Sequence, residues 1–252
     1  MRNRLALAPE RLMVIAALMT LCVLSWVYLW TVPMPMSGMD ARVSPGFVLL
    51  RFLMWFIMML AMMTPANLPA VLLFHRVVHN SSAPLLRTML FASGYFAAWG
   101  FFSLVATALQ FGLSHVGLIN DAGVAQSAGV SAGLLAAIGI YQWLPLKNSC
   151  LEHCRSPMDF LTQHFRPGML GASRMGLLHG LYCIGCCWLL MLLLFVGGVM
   201  NLLWIAGITL LIVLEKLLSR GPVVQRLVGS GLVVAAGVVT VVSLTGKALP
   251  QG

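Results

Sequence analysis

The sequence has very few charged residues. Asp, Glu, Lys and Arg make up 8% of its 252 residues, whereas soluble domains carry about 25%. Hydrophobic residues make up 60% of the chain, and a soluble fold cannot enclose that much apolar surface. The composition therefore excludes an ordinary soluble globular protein and predicts an integral membrane protein. At about 20 residues per spanning helix, the chain has room for about seven spans.

Acidic residues are especially scarce, with six Asp and Glu against 15 Lys and Arg and a formal net charge of +9. The basic residues lie singly between apolar runs and form neither a basic stripe nor a nucleic-acid-binding motif, so we expect no nucleic-acid partner. A nucleotide-binding loop is also missing, and ATP is therefore not expected to drive the protein. Only Glu215 lies inside an apolar run, near its end, where an ion pair is the expected role.

The apolar runs predict an all-α, polytopic transmembrane bundle that forms a single domain. Its spans are expected at approximately residues 11–31, 47–74, 88–112, 122–144, 175–198, 200–218 and 224–245. All of the 15 basic residues except Arg42, Arg51 and Lys247 fall on one side of these spans. Because Lys and Arg favour the cytoplasmic side, we expect a cytoplasmic N-terminus, an outer C-terminus and a cytoplasmic loop over residues 145–174. The last span contains no lysine, which excludes a retinal protein.

Six cysteines do not indicate a disulfide scaffold, because most of them lie in apolar runs rather than in secreted loops. The fifth predicted span carries His179, Cys183 and Cys187 at four-residue spacing on one helical face, with Cys186 beside them. Thiolate and imidazole ligands suit Cu(I) or zinc. Packing is the alternative explanation, since a buried free cysteine behaves as a small hydrophobic residue.

The second predicted span is rich in methionine just before a Pro-x-x-x-Pro break. The methionines of this stretch that we regard as candidate metal ligands are Met58, Met59, Met62 and Met63. Pro65 and Pro69 remove backbone donors near Asn67, and a broken helix at membrane depth commonly lines a cavity or site. Thioethers are soft, neutral ligands that suit Cu(I). A methionine stripe can also be plain core filling.

Two polar segments extend this pattern of soft ligands. The predicted outer loop carries three methionines, Met34, Met36 and Met39, and the predicted cytoplasmic loop carries Cys150, His153 and Cys154. His75 and His79, at the end of the second span, have the same four-residue spacing, although interfacial histidines of this kind commonly need no metal. Thioethers outside and thiols with imidazoles inside would let Cu(I) move inward between sites of rising affinity.

Several motifs together resemble a known family. They are Cys-Leu-Glu-His-Cys-Arg-Ser-Pro from Cys150, His-Gly-Leu-Tyr-Cys-Ile-Gly-Cys-Cys-Trp from His179, Gly-Gly-Val-Met-Asn from Gly197, and Met-Met-x-x-Met-Met-x-Pro from Met58. Over about residues 45–245 the chain is similar to a bacterial family of predicted metal-binding integral membrane proteins. The resemblance implies a membrane protein that handles a metal, and it implies no particular substrate or catalytic residue.

The combined pattern predicts a multi-pass protein of the bacterial inner membrane that binds a soft metal ion. We expect Cu(I), with zinc as the alternative metal, for transport or for delivery to a copper protein or another membrane subunit. The lipid bilayer is its other expected partner, and no catalytic residue is assigned. Two other functions remain open, a membrane thiol-disulfide oxidoreductase that uses Cys183 and Cys186, and a non-catalytic subunit or assembly factor of a larger membrane complex.

Overall fold

The computed structural model describes residues 9–32, 45–120, 122–218 and 221–245. This part of the chain is helical, with short connections and one isolated β-bridge between Ile119 and Ala125. The helices are α1 Pro9–Thr31, α2 Pro45–Val78, α3 Pro84–His115, α4 Ala128–Tyr141, α5 Pro145–Arg155, α6 Pro157–His164, α7 Gly168–Met191, α8 Leu194–Gly197, α9 Leu202–Leu217 and α10 Gly221–Leu244. The all-α prediction is therefore confirmed.

Five helical segments of the described chain are long and apolar enough to cross a membrane. They are α1, α2, α3, the segment Gly168–Gly197 and α10. A sixth is possible if α4 and α5, which are bent by 64° at their junction, form one broken span. The segment predicted as a span over 200–218 is a helix of 16 residues, α9, which is shorter than the about 20 residues that a straight crossing needs. The described chain therefore has five or six candidate spans, and the predicted count of seven is not confirmed.

The segment predicted as a polar loop over 145–174 is largely helical. Pro145 begins α5 and Pro157 begins α6, as expected for proline, whose missing N–H costs nothing in the first turn of a helix. The helix α7 then begins at Gly168, which has a φ of +86°, a conformation that glycine adopts readily. Because α5 is helical, Cys150 and Cys154 lie one turn apart on it.

The described chain divides into two compact units. The first takes its residues from within Met1–Pro33, Phe52–Leu104 and Cys150–Ile184, and the second from within Met34–Arg51, Val105–Ser149 and Gly185–Gly252. The core of the first unit joins α1, α2, α3, α6 and the beginning of α7. Its buried residues are Val14, Leu18, Val71, Phe74, Val78, Phe91, Ala92, Phe160, Leu161, Ala172 and Met175.

In the first unit, α3 and α7 approach so closely that only glycine fits at their contact. A Cβ atom at Gly176 would overlap the Phe91 carbonyl oxygen, and one at Gly180 would lie 2.6 Å from the Ala98 Cβ atom. Small residues of this kind let two helix backbones approach in membrane bundles. The close approach places the aromatic residues of α3 next to the polar residues of α7.

In the second unit, glycines have two different structural roles. Gly139 of α4 and Gly229 of α10 allow these helices to touch, because a Cβ atom at Gly139 would lie 2.9 Å from the Gly229 carbonyl oxygen. Gly198, with a φ of +95°, makes the turn after α8, and the Asn201 side chain caps α9 by accepting from the Trp204 N–H at 3.2 Å. The Gly-Gly-Val-Met-Asn motif is thus explained by a turn and a helix cap.

The α3–α7 contact predicts the effect of a single added methyl group. Gly176→Ala places a Cβ atom against the backbone of α3, and we expect it to destabilise the protein by about 1–3 kcal/mol, as overpacking does. Thermal unfolding of the purified protein in a mild detergent measures this. The control is Gly133→Ala on an exposed face of α4, where a Cβ atom meets nothing within 4 Å. It should leave Tm unchanged or raise it, and equal losses in both variants would contradict the account.

Candidate metal centre

The methionine stretch of α2 is enclosed on every side. All residues from 58 to 64 are buried, so nearly two full turns of this helix face protein. The four candidate ligands, Met58, Met59, Met62 and Met63, are each 0% exposed, and so is Met54. A helix segment that is buried on every face is packed inside the protein. The thioethers therefore point into the protein interior rather than toward lipid.

A proline in this stretch explains the position of Cys22. Pro65 has no N–H, so the carbonyl oxygen of Ala61, four residues earlier, receives no helical hydrogen bond from it. The Cys22 thiol of α1 donates to this oxygen, with an Sγ–O distance of 3.7 Å. A buried carbonyl without a partner would cost about 1–3 kcal/mol. Cys22 thus compensates for the proline in α2.

Asn67 lies between the two prolines of α2 and is only 2% exposed. Neither its side-chain oxygen nor its side-chain nitrogen has a hydrogen-bond partner among the described residues. Buried amides are nearly always satisfied, because leaving one unpaired is costly. Asn67 is one helical turn after Met63. Its open amide therefore lies next to the methionine stretch, toward the C-terminus of α2.

The polar face of α7 in the first unit consists of His179 and Cys183, which are 3% and 1% exposed. Tyr95 of α3 connects them. Its hydroxyl lies 3.0 Å from Cys183 Sγ, and its ring centroid lies 5.8 Å from that of His179. The phenol and the thiol can each donate to the other, so a bound metal at Cys183 would leave Tyr95 as a donor to the thiolate. Sequence patterns did not indicate Tyr95, since it lies on a different helix.

Cys186 and Cys187 continue α7 into the second unit, and each is 1% exposed. None of the six cysteines forms a disulfide. Within the described residues, no three side chains drawn from His, Cys, Asp and Glu have an arrangement that could hold a metal ion. A site made only of such ligands, as zinc requires, is therefore not formed there. Low-coordinate sites and sites that include thioethers are the arrangements that remain for these residues.

The end of α5 carries a group of half-buried side chains. His153 stacks on Tyr182 of α7 with centroids 4.2 Å apart, and its ring lies 6.2 Å from His164 of α6. Cys150 and Cys154, on the same helix as His153, are also half-buried. These three predicted ligands are thus accessible, unlike those of α2 and α7. The other predicted ligands, Met34, Met36 and Met39, lie outside the described residues.

The predicted ion pair of Glu215 is confirmed, and its partner is Lys147 of α5. Lys147 Nζ lies 2.7 Å from Glu215 Oε2, and both side chains are almost fully buried. The side chain of Gln142 donates to Glu215 Oε1 at 3.0 Å and accepts from Lys147. Gln225 of α10 donates to the Gln142 carbonyl oxygen and to Asn148 Oδ1. This network holds the bend between α4 and α5 against α9 and α10.

Comparison with known proteins identifies a family that the chain matches. A family model described as a copper chaperone matches residues 52–239, which is about three quarters of the chain. The match includes the methionine stretch of α2 and every cysteine of α5 and α7. No curated protein and no solved structure matches the chain.

The buried ion pair makes a sharp prediction about stability. Removing one partner leaves the other as an unpaired buried charge, so Lys147→Met should destabilise the protein by about 3–5 kcal/mol. Adding Glu215→Met to this variant removes the second charge as well, and the double variant should regain most of the lost stability. Thermal unfolding in detergent measures the three proteins. Additive losses in the double variant would show that the two charges are not coupled.

Proposed function

Because the chain belongs to the PpoB2 copper chaperone family, we propose that it is an integral membrane protein that binds Cu(I) and delivers it to a copper protein. The observation that carries the proposal is the enclosed methionine stretch of α2, where four thioethers are each 0% exposed. Membership of the family supports copper as the cargo. The methionine stretch supports Cu(I) as its form, since thioethers are soft ligands.

A buried thioether is suited to Cu(I) for a second reason. Methionine carries no charge and needs no hydrogen bond, so it can be enclosed in an apolar interior without the desolvation cost of a carboxylate. We propose that the sulfur atoms of Met58, Met59, Met62 and Met63 supply thioether ligands in the first unit. Cys183 and His179 of α7 supply a thiol and an imidazole there, and Tyr95 positions Cys183.

In this proposal the remaining predicted ligands capture copper and pass it on to the acceptor. Cys186 and Cys187 extend the thiols along α7. Cys150, His153 and Cys154 are half-exposed, so copper bound there would be accessible to an acceptor protein. We assign Met34, Met36 and Met39 to capture of copper on the opposite side. The direction of delivery is then inward, as the order of ligand types suggests.

Location in a bacterial inner membrane is part of the proposal. Five helical segments have the length and hydropathy of membrane spans. Arg76 at the end of α2 and Lys216 at the end of α9 follow the pattern of cytoplasmic helix ends. A lipid bilayer also accounts for exposed apolar side chains such as Leu203, which is 87% exposed, and Leu244, which is 81% exposed.

The burial of Cys183 and Cys186 does not favour a thiol-disulfide oxidoreductase. Thiol exchange needs an accessible thiolate, whereas each of these residues is 1% exposed. An assembly factor for a membrane copper enzyme is compatible with the proposal, because insertion of copper is a step of such assembly. The two descriptions differ only in whether the chain remains with its partner after delivery.

Replacement of the α7 thiols tests the proposal directly. The variant Cys183→Ala/Cys186→Ala/Cys187→Ala should lose Cu(I) binding, because it removes every thiol of α7. Metal analysis of protein purified in mild detergent under reducing conditions gives the copper stoichiometry. The control is Cys22→Ala, which removes another buried thiol, one that is 7% exposed and donates to the Ala61 carbonyl. Undiminished copper in the triple variant would end the assignment of these thiols.

The thioethers are tested with a variant that conserves volume. Changing Met58, Met59, Met62 and Met63 together to Leu keeps the core hydrophobic and similar in size but removes every thioether sulfur of the stretch. Affinity for Cu(I), measured by competition with a chromophoric Cu(I) chelator, should fall by at least about 10–100-fold, the loss that even outer-shell changes produce. The control is Met175→Leu/Met191→Leu on α7, at two other methionines that are 1% exposed. Equal affinities in the two variants would refute a role for the stretch.

A further inference from the structure

Two histidines lie one helical turn apart where α2 ends. His75 is in the last turn of the helix and is 2% exposed, whereas His79 directly follows the final residue, Val78, and is exposed. Their ring centroids are 6.3 Å apart, and the ring planes are nearly perpendicular, at 82°. The pair thus combines one buried imidazole with one accessible imidazole.

Thr88 of α3 determines which nitrogen of His75 carries the proton. The Thr88 hydroxyl donates to the Pro84 carbonyl oxygen at 2.8 Å, and its oxygen lies 3.0 Å from His75 Nδ1. Because the hydroxyl hydrogen is already used, Oγ1 accepts and His75 Nδ1–H donates. His75 Nε2 therefore presents a lone pair. This atom is buried and has no hydrogen-bond partner among the described residues.

His79 has the same tautomer. Its Nδ1 lies 3.2 Å from Asn80 Oδ1, and an amide oxygen only accepts, so Nδ1–H is the donor. The following turn is tight, since both the N–H and the hydroxyl of Ser81 donate to the Val78 carbonyl oxygen, at 2.9 and 2.6 Å. Both histidines therefore give Nδ1–H to the protein and leave Nε2 open, which is the arrangement typical of histidines that bind metals.

The spacing of the two residues suits a chelating pair. Side chains one helical turn apart lie on the same face, with Cβ atoms about 5–6 Å apart, and the ring centroids are 6.3 Å apart. His79 is exposed, so its ring can turn toward His75 when it gives up its hydrogen bond to Asn80.

We propose that His75 Nε2 and His79 Nε2 together chelate Cu(I), an inference that rests on the proposed copper function. Cu(I) is stable with fewer ligands than the four that zinc requires, so the pair leaves a position for a ligand from an acceptor protein. In the described parts of the chain no third His, Cys, Asp or Glu joins this pair. The negative end of the α2 dipole attracts a cation here. Two charged side chains of α1, Glu10 and Arg11, act electrostatically on His75. Their charges have opposite signs, so their effects on a bound cation oppose each other.

The position of the pair assigns it to the release of copper. Met63 and His75 are separated by about 18 Å along the axis of α2, at 1.5 Å per residue, with the open amide of Asn67 between them. An ion held by the methionines is enclosed, whereas an ion held by His79 is accessible to an acceptor protein. The pair is therefore the last position on α2 before copper leaves the protein.

Nitrogen NMR of the intact wild-type protein tests this without any substitution. Protein labelled with ¹⁵N-histidine is titrated with Cu(I) in mild detergent under reducing conditions. The Nε2 signals of His75 and His79 should shift on binding, and those of His115, an exposed histidine at the end of α3, should not. Unshifted His75 and His79 signals in protein that has bound copper would overturn the inference.

A variant separates this inference from the proposed function. His79→Asn changes an exposed residue and should reduce the copper content by about one ion per chain, while the matched variant His115→Asn keeps the full content. Copper that is retained in full by His79→Asn would overturn the histidine pair and leave the sulfur sites standing. A wild-type protein that binds no Cu(I) would overturn the proposed function and the pair with it.

Discussion

A buried polar group needs a partner inside the protein, because its apolar surroundings offer none. This constraint explains the polar contacts of the chain. Pro65 exposes a carbonyl of α2, and the Cys22 thiol of α1 bonds to it. Lys147 brings a charge into the second unit, where Glu215 and Gln142 satisfy it. The open amide of Asn67 and the open Nε2 of His75 are among the buried polar groups that have no hydrogen-bond partner in the described residues, and groups of this kind are expected where a ligand binds.

Thioether ligands can be buried without any hydrogen-bond partner. A cation site made of carboxylates would need several buried charges, each with a large desolvation cost. Thioethers avoid this cost because they are neutral and need no hydrogen bonds, so Met58, Met59, Met62 and Met63 can be fully enclosed and still bind a soft ion. Methionine in the centre of α2 is therefore compatible both with a stable fold and with reversible binding of Cu(I).

Much of the fold could be predicted from the sequence, because a helix satisfies the backbone hydrogen bonds of a long apolar run within the run itself. The structure confirms the helices that correspond to the seven apolar runs, but α9 is short and α4 is bent from α5. Hydropathy does not reveal such bends, which depend on local packing around Pro145 and on the Lys147–Glu215 pair. The amphipathic helices α5 and α6 were predicted as a loop, because their lower hydropathy hides their helical pattern.

Only part of the candidate site could be predicted from the sequence. Four-residue spacing identified His179 and Cys183 as neighbours on one helix. It did not reveal Tyr95, whose hydroxyl lies 3.0 Å from Cys183 Sγ, because contacts between helices depend on the glycine-mediated approach of α3 and α7. The sequence likewise does not distinguish His75 from an ordinary interfacial histidine, because its tautomer depends on a contact with Thr88 of another helix, α3.

The most direct test of the central claim, that enclosed sulfur atoms hold the metal, is X-ray absorption spectroscopy of the Cu(I)-loaded wild-type protein in mild detergent under reducing conditions. We expect the copper edge of a reduced ion and a nearest shell dominated by sulfur, with a smaller contribution from imidazole nitrogen. A nearest shell made only of nitrogen and oxygen would contradict the account, because the methionines and cysteines at the core of the protein would then play no part in binding copper.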